Sequence, residues 1–129
     1  MTKNMAKTWA IIFGVVFVIV GLLGFIGGAG IVGPTGIFQT NALHDWVHFL
    51  SGLIFLIVAF ASARSSAAVL KVFGIVYLLV AILGFVAPSF MSQLLLGNMA
   101  DNWLHVVLGI VITWVGFAAG KGSEMPMAA

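Results

Sequence analysis

Four runs of about twenty apolar residues take up most of the chain: roughly Thr8–Gly27, Leu43–Ser62, Ala68–Ala87 and Asn102–Gly120. A helix rising ~1.5 Å per residue needs about 20 residues to cross a ~30 Å hydrocarbon core, so each run has the length of one membrane span. Hydrophobic residues fill 63% of the 129 positions, above the roughly 45–50% of soluble domains, and lipid as solvent accounts for the excess. In lipid every backbone polar group must be satisfied within the structure, which leaves helices or a closed barrel. The runs show no alternation of period two, which excludes a barrel. The expected fold is a single all-α transmembrane domain over residues 1–129, four helices joined by short connections, with residues 121–129 as a cytoplasmic tail.

Charge placement sets the orientation. Lys3 and Lys7 precede the first run, Arg64 and Lys71 flank the connection between the second and third, and Lys121 follows the fourth. The alternate connections carry Asp45 and Asp101 and no basic residue, so the positive-inside rule predicts cytoplasmic amino and carboxyl termini. The net charge of +2 then reflects topology; no basic stripe with interleaved aromatics marks a nucleic-acid surface. The absence of cysteine removes disulfides and thiolate metal sites. Lys3, Lys7 and the apolar run after them have the form of a signal peptide, but the same segment recurs as the third run, so it is read as a retained span.

That recurrence is extensive. Ile11–Phe25 aligns without gaps on Lys71–Phe85, with seven of fifteen positions identical, among them Phe13/Phe73, Gly14/Gly74, Gly24/Gly84 and Phe25/Phe85. Asn41…Trp46…His48…Gly52 returns as Asn98…Trp103…His105…Gly109. The chain therefore reads as a tandem repeat of a helical hairpin, about 8–62 and 68–120, whose copies cross the membrane in the same sense. Small residues share one face of each span: Gly14, Gly21, Gly24 and Gly28; Gly74, Ala81 and Gly84; Ser51, Gly52 and Ala59; Gly109, Gly116 and Ala119. In lipid such faces let helices pack closely. Phe17, Phe55 and Phe60 are expected to face lipid, a neighbouring subunit or a pigment, and the apolar stretches Ile37–Phe38 and Phe90–Leu96 to lie along the interface or form re-entrant turns.

Polar chemistry gathers at one end of the second and fourth spans. His44 and His48 share a helix face, as do Asp101 and His105, and the repeat sets His44 against Asp101 and His48 against His105. Together they form a ligand set for zinc or copper. His48 and His105 alone suit the axial ligation of haem or of chlorin pigments, and a proton or quinone site is the third possibility. The competing reading makes these positions structural, with Asn41, Asn98, Asp45 and Asp101 capping helices and Trp46 and Trp103 in the aromatic belt. No nucleophile with a partnered base, phosphate loop or hydrolytic acid pair is present, so the chain is not expected to be an enzyme. No acidic or basic residue lies in the central third of a predicted span, which argues against a transporter or channel.

The paired Phe-Gly…Gly-Phe helices followed by Asn…His-x-x-x-Gly, at Asn41…His48…Gly52 and Asn98…His105…Gly109, resemble the four-span membrane protein family DUF4383. The resemblance covers most of the chain and implies a four-helix bacterial membrane protein, without an activity or a ligand. The resulting expectation is a small structural or accessory membrane protein, with the bilayer and itself or a larger membrane complex as partners. A protein binding metal or cofactor through His48 and His105 is the alternative.

Overall fold

A computed structural model describes residues 3–27 and 30–124, and the side chains of 5–27 and 30–120. Four long helices, α1 (Lys3–Ile26), α2 (Ala42–Ala61), α3 (Ala63–Val86) and α5 (Met99–Glu124), form a bundle. All four are long and apolar enough to cross a membrane, which makes this a multi-pass membrane protein. Two small elements, absent from the sequence expectation, cap one end. The strands β1 (Val32–Gly33) and β2 (Phe38–Gln39) pair in parallel between α1 and α2, and a short helix, α4 (Pro88–Leu95), lies between α3 and α5. These elements make up the loop end of the bundle.

The hairpins α1–α2 and α3–α5 are each closed by glycines. A Cβ on Gly14 would meet the Leu56 side chain at 2.7 Å, and one on Gly52 the Val18 backbone at 2.6 Å. In the second hairpin a Cβ on Gly109 would meet Leu78 at 2.7 Å, and Gly74 packs against Thr113. These contacts join positions that the sequence alignment places in register: Gly14/Gly74, Leu56/Thr113, Gly52/Gly109 and Val18/Leu78. In hydrocarbon, helices associate by packing rather than by escaping water, so the missing side chains permit the closest approach of the backbones.

Between the hairpins lies an aromatic and aliphatic core of Phe13, Phe17, Phe55, Leu70, Tyr77, Ile112 and Val115. Phe17 and Phe55 are therefore interior residues, 2% and 0% exposed, where the sequence expectation had them exposed to lipid, a neighbouring subunit or a pigment; they stack at 5.9 Å. The apolar face of α1 is continuous, so composition alone gave no means of telling the two sides apart. Phe60, 77% exposed, does lie on the outside.

The connections depart from expectation in definite ways. No loop joins α2 to α3: Ser62, in extended conformation, ends one helix and caps the next, its Oγ accepting the Ser65 N–H at 3.0 Å. A single capping serine can thus turn the chain, and Lys71 falls within α3, its Nζ 5.2 Å from the Phe117 ring centroid. Helix α5 continues through Glu124, beyond the expected end at Gly120. Gly28 and the tail beyond Glu124 lie outside the described residues. Of the apolar loop segments, Phe38 pairs with Val32 and Phe90–Leu95 is helical.

Candidate functional site

The loop end is held by a reciprocal pair of amides. Asn41 caps α2 by accepting the His44 N–H at 2.9 Å, and its Nδ2 donates to the Leu94 carbonyl at 3.0 Å. Asn98 caps α5 by accepting the Asp101 N–H at 3.0 Å, and its Nδ2 donates to the Ile37 carbonyl at 2.9 Å. Each asparagine starts its own helix and ties the connection of the opposite hairpin. The Leu94 and Leu95 carbonyls are available because they end α4, where the last carbonyls have no helical partner. Leu96 stops that helix in the left-handed region, at φ 56°.

Three histidines meet beneath this clamp. His44, His48 and His105 are buried, and one ring nitrogen from each lies within 4.8 Å of the others. The His44 and His48 ring centroids are 4.4 Å apart, His44 and His105 5.7 Å, and His48 and His105 6.3 Å. His44 Nδ1 lies 3.0 Å from the Leu95 carbonyl. A carbonyl only accepts, so Nδ1 carries the hydrogen and Nε2 keeps its lone pair. That is the arrangement by which a carbonyl orients a metal-ligating imidazole. His48 Nδ1 is buried with no hydrogen-bond partner, which a group bound at the site would relieve.

Aromatic rings fix the other two imidazoles. Phe17 lies 5.8 Å from His48, Tyr77 5.7 Å from His105, and Phe17 and Tyr77 stack on each other at 5.2 Å. His48 and His105 thus sit side by side at the centre, each backed by a ring from its own hairpin.

Asp101, expected as a fourth ligand, lies outside the cluster of three. Its Oδ2 accepts the Asn98 N–H at 2.9 Å, completing a reciprocal capping box at the start of α5. At the aligned position His44 turns to the opposite hairpin instead. Asp45 and Asn102 also occupy aligned positions. Asn102 Nδ2 donates to the Gly84 carbonyl at 3.0 Å; the Asp45 carboxylate packs against Gly24, with Oδ1 buried and unpartnered. Trp46 and Trp103, about half exposed, meet Phe25 and Phe85 edge to face at 5.0 and 5.1 Å.

Two cavities flank the central imidazoles. One of about 220 Å³ lies between α1, the strand pair and α5; the other, about 100 Å³, lies between α2 and α3. Both are small beside pockets for drug-sized ligands, which run to roughly 300–1,000 Å³, and smaller still beside a tetrapyrrole. Three imidazoles able to share a small ion fit this space better. Sequence reasoning missed Thr40 and Tyr77, both of which line these cavities. Thr40 lies in the connection, outside the repeated cassette, and Tyr77 is aligned with a phenylalanine and reads as core.

No curated protein and no solved structure matches the chain. It matches the family described as a domain of unknown function, DUF4383, over residues 7–118, and so belongs to that family.

Proposed function

We propose that this protein binds a divalent transition metal, zinc or copper, through His44, His48 and His105, in the outer half of a bacterial inner membrane with both termini in the cytoplasm. The observation that carries the reading is the convergence of three buried imidazole nitrogens within 4.8 Å. Zn–N bonds of ~2.0–2.1 Å in a tetrahedral site separate ligand nitrogens by about 3.3 Å, so small rotations of the rings close the set around an ion. Three neutral imidazoles leave a fourth position for water or an exogenous ligand.

The protein is read as a binding and accessory component, acting as an oligomer or beside a larger membrane protein, and not as an enzyme. The metal-free structural reading has its own support in the Asn41 and Asn98 cross-ties, which hold the loop end without help from His48 or His105.

Cobalt titration of chelator-treated protein in mild detergent separates the two. Metal binding predicts one equivalent of cobalt with the visible bands of a tetrahedral site, displaced by zinc, and their loss in a His48→Ala, His105→Ala double variant that retains its helical circular dichroism. Unchanged cobalt binding in that variant, or none in the parent protein, contradicts the metal reading.

A further inference from the structure

The larger cavity has the features of a ligand chamber. Its walls are almost wholly apolar, formed by Phe17, Val20, Val32, Leu104 and Leu108 among others, with Thr40, Asp101, His48 and His105 as the polar groups. Thr40 is fully buried, and its hydroxyl has no hydrogen-bond partner; His48 Nδ1 is likewise unpartnered. A buried donor left unmade costs about 1–3 kcal/mol, so an apolar chamber is a poor place for one unless something enters to accept it. The smaller cavity makes the contrast. There Tyr77 donates to Ser51 at 3.4 Å, and the aligned positions facing the larger cavity hold Phe17 and Leu108. One cavity satisfies its hydroxyls internally, and the other leaves one free.

We propose that this chamber binds a lipophilic single-ring carbonyl compound of the quinone class, its ring among the apolar walls and a carbonyl oxygen accepting from Thr40. A volume of about 220 Å³ suits one substituted six-membered ring, since a cavity of about 150 Å³ holds benzene. An acyl chain has no acceptor for the threonine, and an anion meets Asp101 and no Lys or Arg along the walls. A neutral ring with a carbonyl satisfies both the walls and the hydroxyl. The inference goes beyond the metal reading and does not rest on it, because Thr40 is no part of the three-histidine cluster.

The test is methyl NMR of metal-free protein in lipid nanodiscs, following the Thr40, Val20, Val32 and Leu104 methyls. Duroquinone is titrated against durene, the same carbon skeleton without oxygens, with concentrations corrected for partition into the bilayer. The expected result is saturable binding of duroquinone at least about 10-fold tighter than durene. One hydrogen bond of ~1–1.5 kcal/mol corresponds to a roughly 5- to 10-fold loss of duroquinone affinity in Thr40→Val, with durene unaffected and duroquinone restored in Thr40→Ser. Leu104→Trp, which fills the chamber, removes both. Equal binding of the two compounds with no effect of Thr40→Val overturns the proposal, as does the absence of shifts in these methyls.

Discussion

The two hairpins share a packing scheme and differ in their chemistry. Gly14 and Gly74, Gly52 and Gly109, Phe25 with Trp46 and Phe85 with Trp103 do the same work at aligned positions. The substituted positions behave differently. Asp101 turns inward to cap α5, whereas His44 reaches the Leu95 carbonyl of the other hairpin and joins two imidazoles. Asn102 is bonded where Asp45 is not. What the hairpins hold in common builds the bundle and sets His48 beside His105, and the divergent His44 completes the cluster of three.

This contrast can be broken experimentally. The largest effect is expected for the double variant His48→Ala, His105→Ala, with metal affinity falling at least ~100-fold, measured by competition against a chelating dye, while the bundle remains folded. Loss of folding along with affinity would make the central imidazoles part of the scaffold. Acidification has the same sign: a protonated imidazole offers no lone pair, so affinity falls once pH is low enough to protonate the cluster, and in that range binding releases protons, which calorimetry in buffers of different ionisation enthalpy detects.

Next comes Gly84→Ala, whose methyl would collide with Asn102 and displace its hydrogen bond. A loss of about 3 kcal/mol in reversible unfolding in mixed micelles is expected, combining overpacking with an unpaired buried amide. A cost below about 1 kcal/mol would show that the contact is not tight.

The aligned pair His44 and Asp101 should separate cleanly. Asp101→Ala removes a cap worth about 1 kcal/mol and leaves metal affinity within a few-fold; His44→Ala lowers metal affinity by at least ~10-fold, beside a stability cost of about 1–3 kcal/mol for the lost bond to Leu95. If both variants lose metal equally, Asp101 is a ligand after all. Smallest is Asp45→Asn, which supplies an amide hydrogen for the Gly24 carbonyl, as Asn102 supplies one for Gly84. A gain of about 0.5–1.5 kcal/mol is expected, and a loss would show that the aspartate has a partner of its own.

Much of the bundle was legible in the sequence because lipid makes span length and hydropathy strong signals, and because close helix packing requires small residues at a helical period. The three histidines were legible too, since Asn41…His48 and Asn98…His105 stand out in an apolar chain. Other features had no local signal. The exchange of Asn41 and Asn98 between the two connections depends on which carbonyls end α4 and which face the clamp. Asp101 looks like a ligand by position, and only its bond to the Asn98 N–H shows it engaged elsewhere. Phe17 and Phe55 sit in helices whose lipid and core faces are equally apolar, so their burial follows from how the hairpins meet. Thr40 is one polar residue in a loop until the fold places its hydroxyl beside an apolar cavity.

X-ray absorption of the zinc-loaded protein tests the central claim most directly, because it counts the imidazoles around the ion. The account predicts three histidine nitrogens at ~2.0–2.1 Å with one further light atom. A shell of oxygen atoms without the imidazole scattering pattern, or zinc removed by simple buffer exchange, would contradict it.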